Sequence, residues 1–451
     1  MKACQLVYFL LSLFFSTKIY AISIAPMPMK VVASNEHSCV LLDNKKVKCW
    51  GINGNGELGL GTTASQMGSL PNQIGDNLPY LNLGTDVLVE DIQAGNTFTC
   101  VLTTAKKVKC WGNSEGGALG SGSTVDVGRS LAQMGDGLPY LNFGATAPIA
   151  EMAIGVFQSC VIFEDQRIKC WGYNDYGQLG IGSLNNIGDA ANEMGDALPY
   201  TNLGMNEKVI KVRIGYEHSC ALLSSQRIKC WGRNQFGQLG LGDMVNRGSR
   251  ITEMGDALPY VDLGAGALAK DVVVGYNTTC AVLTDDRVKC WGANQYGQLG
   301  IGNTEAKGTS PTHMGDNLLT TELGIGLNPQ SIFSFAPGAF CSLFTNFTMK
   351  CWGWNRSGAL GLGDENNRGD NTGEMGDNLP FVYLGQRTAV LNVSVGGAHV
   401  CALIKQIGRS PGVKCWGNNT RGQLGLGDAL VRGTTADTMG EALPYLNFGT
   451  N

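Results

Sequence analysis

The pair Cys-Trp occurs seven times, at Cys49-Trp50, Cys110-Trp111, Cys170-Trp171, Cys230-Trp231, Cys290-Trp291, Cys351-Trp352 and Cys415-Trp416. The spacing is 60 or 61 residues until the last interval, which is 64. Each of these cysteines has an upstream companion, at Cys39, Cys100, Cys160, Cys220, Cys280, Cys341 and Cys401. Six companions lie ten residues away; "QIGRSPG" widens the last separation to fourteen. A second signature, fullest as "MGDALPYVDLG" at Met254–Gly264, returns between the pairs. A fixed period of this size marks a repeat architecture. Seven units fill the chain near 30–84, 85–144, 145–204, 205–264, 265–324, 325–385 and 386–451. No linker separates them, so 22–451 reads as one domain.

Each unit is patterned for short strands. In "DVVVGYNTTCAVLTDDRVKCWG" (Asp271–Gly292) two β-rich runs are followed by a turn and a returning run. Apolar residues at helical spacing are absent, and turn signals recur at strand-like intervals. "LPYVDLG" is expected to supply a fourth strand. Equal four-stranded units can stack as a solenoid or close as a propeller. The terminal units resemble the middle ones, which favours closure. The fold class expected is all-β, a seven-bladed β-propeller with four antiparallel strands per blade. Whether the ring closes in phase or by a shared terminal strand stays open.

Cysteines flanking a tight hairpin can face one another across an antiparallel pair, with Cα atoms about 5.5 Å apart in an ordinary disulfide. The pairing expected is Cys39-Cys49, Cys100-Cys110, Cys160-Cys170, Cys220-Cys230, Cys280-Cys290, Cys341-Cys351 and Cys401-Cys415. Free buried thiols acting as small hydrophobes are the alternative. Zinc is disfavoured, since the chain has four histidines and no Cys-x-x-Cys. Each loop in "WGxNxxGQLGLG" carries Gly where positive φ and close backbone approach are needed. The Trp is expected to pack between neighbouring blades.

The first 21 residues have a short positive start, an apolar run over Leu6–Phe15 and a small residue, Ala21. That is the pattern of a secretory signal peptide, and the run is too short to span a bilayer of about 20 helical residues. Removing it takes Cys4 and leaves an even number of cysteines, which suits an oxidising compartment. The expected location is extracellular, or periplasmic in a bacterium, with no membrane span after cleavage. A formal net charge of −4 without a basic tail argues against nucleic-acid binding.

With "GYEHSCALLSSQRIKCWGRNQFGQLGLG" (Gly215–Gly242) in view, the chain resembles the regulator-of-chromosome-condensation repeat family in a secreted, cysteine-paired form. The resemblance covers about 30–451 and implies seven propeller blades. It says less about function, because one fold hosts unrelated activities. The founding member is a nuclear guanine-nucleotide exchange factor for a small GTPase. The export signal, the near-uniform hairpins without an inserted wedge and the cysteine pairs argue against that role here.

Neither a Gly-x-Ser-x-Gly elbow, nor a phosphate loop, nor a metal-ligand cluster is present in the sequence, so no enzyme, cofactor or metal is expected. His37, His218 and His399 each precede a cysteine by two residues and read as backbone-bonded structural groups. Asp76, Asp136, Asp196, Asp256, Asp316, Asp377 and Glu441 place one acid per blade. An Asp after Gly in a loop satisfies local N–H groups more readily than it builds a calcium cage. Arg368-Gly369-Asp370 spells an adhesion motif, yet Arg-Gly recurs at Arg247 and Arg432, which makes it part of the repeat.

The loop after each Trp-Gly varies most between copies, reading "YNDYG", "RNQFG", "ANQYG", "WNRSG" and "NNTRG" in the last five. Loops on a rigid scaffold carry function, and aromatic residues with Arg anchor interfaces. A protein- or glycan-binding face of Tyr173, Tyr176, Arg233, Phe236, Tyr296, Trp354 and Arg356 is expected; packing of these rings on neighbouring loops is the alternative. Asn277, Asn346, Asn355, Asn392 and Asn418 head Asn-x-Ser/Thr sequons, glycosylation candidates in a eukaryotic secretory pathway. A monomer is expected.

Overall fold

The computed structural model describes residues 25–62, 64–335 and 337–450. The signal-peptide expectation falls on residues outside this range. Among the described residues there is no α-helix, and none of the helical turns is long and apolar enough to cross a membrane.

Seven antiparallel sheets follow one another along the chain, one per repeat. In blade four the strands are Val209–Ile214, His218–Leu223 and Ile228–Gly232, with "VIKVRI", "HSCALL" and "IKCWG" as their sequences. The second and third strands are wholly buried, as apolar and β-branched runs without polar alternation require. Their hairpin is closed by Gln226 in the left-handed region (φ 60°), with N–H bonds from Gln226 to Leu223 and from Leu223 to Arg227. In the first strands of blades one to six the register shifts after the opening residue, between Val209 and Lys211 in blade four, and in blade seven it shifts between Val390 and Asn392. The bulge resets the alternation, so Val209 and Val212 both face the packed side while Lys211 and Arg213 stay partly exposed.

The fourth strand is shorter than the sequence suggests. Gln66–Met67 forms one in blade one; elsewhere a single bridge joins the third strand's end, as Gly232 to Arg247. "LPYVDLG" is not that strand. It touches the other end of the third strand through one backbone bond, Val261 N–H to the Ile228 carbonyl at 2.9 Å. Pro259 has no N–H to extend the ladder, and Asp262 turns the chain by accepting the Gly264 N–H at 3.0 Å.

All seven disulfides expected are present, between directly paired residues with Cα atoms 4.0–4.1 Å apart. That is closer than the expected value, because the partners face each other at one register position. The core lies between blades. Cys220, Cys230, Leu222 and Leu239 of blade four pack on Val272, Ala281, Leu283 and Trp291 of blade five. Every Cys-paired Trp is fully buried, and its indole N–H donates to the preceding blade, as Trp291 to the Gln238 carbonyl at 3.0 Å. Gly240 (φ 68°) makes that approach possible: a Cβ there would sit 2.6 Å from the Trp291 Nε1.

The ring closes in phase. Leu446 N–H bonds the Val413 carbonyl of blade seven at 2.9 Å, and the Phe448 carbonyl accepts from Lys48 of blade one at 2.7 Å. Between blades four and five the same two steps are made by Val261 to Ile228 and by Lys289 to Leu263. The terminal "LPYLNFG" thus bridges two blades like every internal copy, and among the described residues no strand is shared.

Candidate functional site at the channel mouth

Two sets of loops share one face of the ring. The loop after each Trp-Gly is tied by its first N–H to the turn between the first and second strands of the same blade. Tyr173 bonds the Phe157 carbonyl at 3.1 Å, Arg233 that of Glu217 at 2.8 Å, and Trp354 that of Gly338 at 2.9 Å. The inner turns surround the mouth of the central channel, a cavity of about 430 Å³.

The turns differ strongly between blades. At the second position before the second strand stand Asn35, Asn96, Val156, Tyr216, Tyr276, Pro337 and Gly397 in blades one to seven; Phe157 follows Val156. Phe157, Tyr216 and Tyr276 form a continuous aromatic wall: Phe157 meets Tyr216 edge-on at 5.7 Å, and Tyr216 stacks on Tyr276 at 4.1 Å. Burial, then the hydrogen bond its hydroxyl makes to Tyr216, raise the Tyr276 phenol above its ordinary pKa.

The expected binding residues divide into two groups. Tyr173 joins the wall, 6.2 Å from Phe157, with its hydroxyl donating to Asp175 at 2.5 Å. That hydrogen bond, with burial second, raises its pKa. Arg233 lies 4.7 Å over the Tyr176 ring and pairs with Glu217. Tyr296 is half-buried against Gly338 of the next blade. Tyr173, and the Tyr176–Arg233 pair through Glu217 beside Tyr216, carry the wall outward. Phe236 is half-buried, and its N–H is held by the Gln238 side chain at 2.9 Å. Trp354 packs onto the core between blades six and seven, and Arg356 is exposed beside it in sequence.

Phe157, Tyr216 and Tyr276 escape the sequence reading because they sit before the first cysteine of the unit rather than after the Trp. Their signal was there: two small or polar residues stand at these positions in the other blades.

Deeper in the channel the cavity is about 370 Å³ and is crossed by ion pairs between neighbouring blades. Lys30 pairs with Asp91 at 2.5 Å, Lys211 with Asp271 at 2.8 Å and Arg213 with Glu151 at 2.9 Å. Of the described residues that line this deeper cavity, Lys30, Glu151 and Arg213 are charged, and each is held in one of these pairs.

The remaining candidates are structural. His37, His218 and His399 are fully buried, and each Nε2 reaches a hydroxyl of the following blade: Thr99, Thr279 and Ser38, at 2.9, 2.9 and 2.7 Å. The partner is therefore a neighbouring side chain rather than backbone. Burial lowers all three rings to about 3, which keeps them neutral. The acids of the "MGD" loops accept backbone N–H groups across the blade boundary, as Asp136 from Thr85 at 2.7 Å and Asp256 from Met205 at 3.0 Å. No group of three or more His, Cys, Asp or Glu able to hold a metal occurs among the described residues. The Arg368 guanidinium is tied to Asp364 at 2.5 Å and to the Asn366 carbonyl at 2.8 Å. Arg247 and Arg432 make the same bonds to Asp243 and Asp428, so Arg-Gly-Asp here is a repeat turn.

Among the sequons, Asn355 is fully buried and its amide donates to the Asp364 and Asn366 carbonyls, which removes it as a glycan acceptor in the folded chain. Asn392 lines the channel, and Asn277 and Asn418 are half-buried. Asn346 is exposed at a hairpin tip.

One structural group was missed altogether, the Lys of "KCW". Lys48, Lys109, Lys169, Lys229, Lys289, Lys350 and Lys414 are almost fully buried. Lys229 donates to the Leu203 and Gly255 carbonyls at 2.7 and 2.9 Å, with the Tyr260 ring 4.7 Å away. Burial lowers its pKa. It joins the incoming and outgoing loops of its blade. An unvarying Lys within an apolar strand was the available sequence signal.

Family comparisons agree with this geometry. Models of the regulator of chromosome condensation (RCC1) repeat match residues 30–57, 89–117, 149–178, 209–238 and 269–298, and a second form matches 167–222, 285–320 and 351–403. The ultraviolet-B receptor UVR8 of Arabidopsis thaliana is 26% identical over 419 residues, covering 90% of this chain and 81% of that protein. The probable E3 ubiquitin-protein ligase HERC4 of Homo sapiens is 28% identical over 55% of this chain, a match that spans only 20% of HERC4. Human WBSCR16 superposes with a TM-score of 0.63 at 17% identity, over 84% of this chain and 86% of that one. Yeast RCC1 (Prp20), in a structure with Kap60 bound, gives 0.62 at 17% identity, over 82% and 78%. These two likenesses establish the shared fold. The chain belongs to the regulator of chromosome condensation (RCC1) repeat family.

Proposed function

We propose that this chain is an exported, non-catalytic binding propeller whose working surface is the aromatic face at the channel mouth. The observation that carries the reading is the unequal mouth. Repeats alike in Cys, Trp and Lys place aromatic residues in the inner turns of blades three to five, and polar or small ones elsewhere. Packing needs would apply to every blade alike; recognition needs apply to one sector. Export is supported by the seven disulfides, which persist in oxidising compartments, and by the leader-like residues 1–21. A relative is seen with a macromolecular partner, yeast RCC1 with Kap60. Guanine-nucleotide exchange on a small GTPase is the second reading, favoured by the family alone. An exported chain would not meet a cytosolic GTPase.

The test is expression of the full chain with its own leader, followed by intact-mass analysis of the culture medium without reduction. The reading expects a secreted species that starts after Ala21 and has no free thiol. Retention inside the cell with residues 1–21 attached and free thiols would overturn it.

A further inference from the structure

The channel mouth has a chemistry narrower than a general contact surface. Its floor is apolar, made by first-strand ends such as Ala33, Ile154, Ile214 and Val274. One wall is the aromatic sector of Phe157, Tyr216 and Tyr276. Three places round the ring from Tyr216 and Tyr276 stand Asn35 and Asn96, whose side chains also line the cavity. Beside them stand Gly396 and Gly397, and the Asn35 carboxamide lies against Gly397, where a Cβ would sit 1.8 Å from its Oδ1. No charged side chain is among the described residues that line the cavity, and the charged groups deeper down are held in ion pairs.

We infer that this cup binds the end of a neutral glycan, one pyranose ring at a time. The inference rests on the binding reading above and names its ligand. A pyranose has an apolar C–H face and an equatorial rim of hydroxyls. The aromatic wall meets the first by dispersion and by the ring quadrupole. Two carboxamides, each with two N–H donors and an acceptor oxygen, meet the second. At about 430 Å³ the cavity lies within the range of small-ligand sites and has room for a sugar ring and ordered water. Phosphorylated, sulfated or sialylated ligands would bring in an anionic group with no cation to meet it, at the full desolvation penalty of a charge.

The experiment uses the full, disulfide-bonded chain and neutral oligosaccharides of gluco, galacto, manno and N-acetylglucosamine configuration. Saturation-transfer NMR identifies which bind, and calorimetry gives their affinities. At least one configuration is expected to receive saturation on its C–H face. Tyr216→Ala and Asn35→Ala should each weaken it roughly tenfold, the scale of one stacking or paired hydrogen-bond contact. Tyr216→Phe, which keeps the stack, should retain most of the affinity and shows that loss in the alanine variant is not misfolding. A sulfated analogue should bind no more tightly than its neutral parent. No saturation transfer to any of the four configurations would overturn the inference, as would affinity unchanged by both alanine substitutions. Capture of a protein from medium separates the two levels. If Tyr216→Ala abolishes capture of a partner that binds equally well after enzymatic deglycosylation, the glycan inference falls and the binding face stands. If the variant captures everything the native chain does, both fall.

Discussion

The indole N–H of Trp50 donates to the backbone carbonyl of Gln423 across 2.9 Å, although 373 residues separate them. The same bond joins Trp231 to Gln178 and Trp291 to Gln238, at 2.9 and 3.0 Å. The seam between the last blade and the first is therefore built like every other boundary. Val31, Val40 and Trp50 pack there on Cys401, Leu403 and Val413, which repeats the arrangement between blades four and five. Trp50→Phe and Trp231→Phe should each cost about 2–3 kcal/mol, from a lost hydrogen bond, a carbonyl left buried and the smaller ring. Denaturant unfolding should find the two losses equal within about 0.5 kcal/mol; a markedly smaller loss for Trp50→Phe would mean an open seam.

Lys229 joins two loops from within a strand that is otherwise apolar. Lys229→Met keeps the length and the apolar stem while removing both bonds. The Leu203 and Gly255 carbonyls would then lack their donor, and stability should fall by about 2–4 kcal/mol in denaturant unfolding, with an unchanged slope. A neutral result would show that the ammonium group is not needed to hold the loops.

Glu57 occupies the place that Gln178, Gln238, Gln298 and Gln423 hold in other blades. Its Oε2 accepts the Asn55 N–H at 2.7 Å as the glutamines accept theirs, while its Oε1 is buried without a partner. Burial raises the carboxyl above its ordinary value of 4.5. The folded state then holds the proton more tightly than the unfolded one, so this group's contribution is complete below pH 4.5 and is lost as pH rises through the folded value. Glu57→Gln should raise the melting temperature at neutral pH and have no such effect below pH 4.5. Thermal scans across pH read the difference; an equal shift at both ends would contradict it.

Much of the scaffold is legible in the sequence because it repeats. Seven Cys-Trp pairs fix the period, and a ten-residue spacing across one hairpin fixes which cysteines meet. The fourth strand is less legible: Pro259 stands in a segment whose apolar content looks strand-like, yet in that blade it makes one backbone bond to the third strand while the Arg247 segment forms the bridge. The site is half legible. Tyr173, Tyr176 and Arg233 stand out after Trp-Gly, but strand alternation says nothing of which loops approach the axis. Phe157, Tyr216 and Tyr276 become a wall only once the turns of successive blades converge. Trp354 shows the reverse, a conspicuous residue whose partly buried ring packs against the core.

The most direct test of the account is affinity capture from culture medium by the native chain and by a Tyr216→Ser/Tyr276→Ser double variant of matched secretion and disulfide content. The account predicts that the species captured by the native chain disappear with the variant, while a control substitution at an exposed hairpin tip, Ala105→Ser, leaves them in place. An identical captured set for all three proteins would place recognition away from the channel mouth and contradict it.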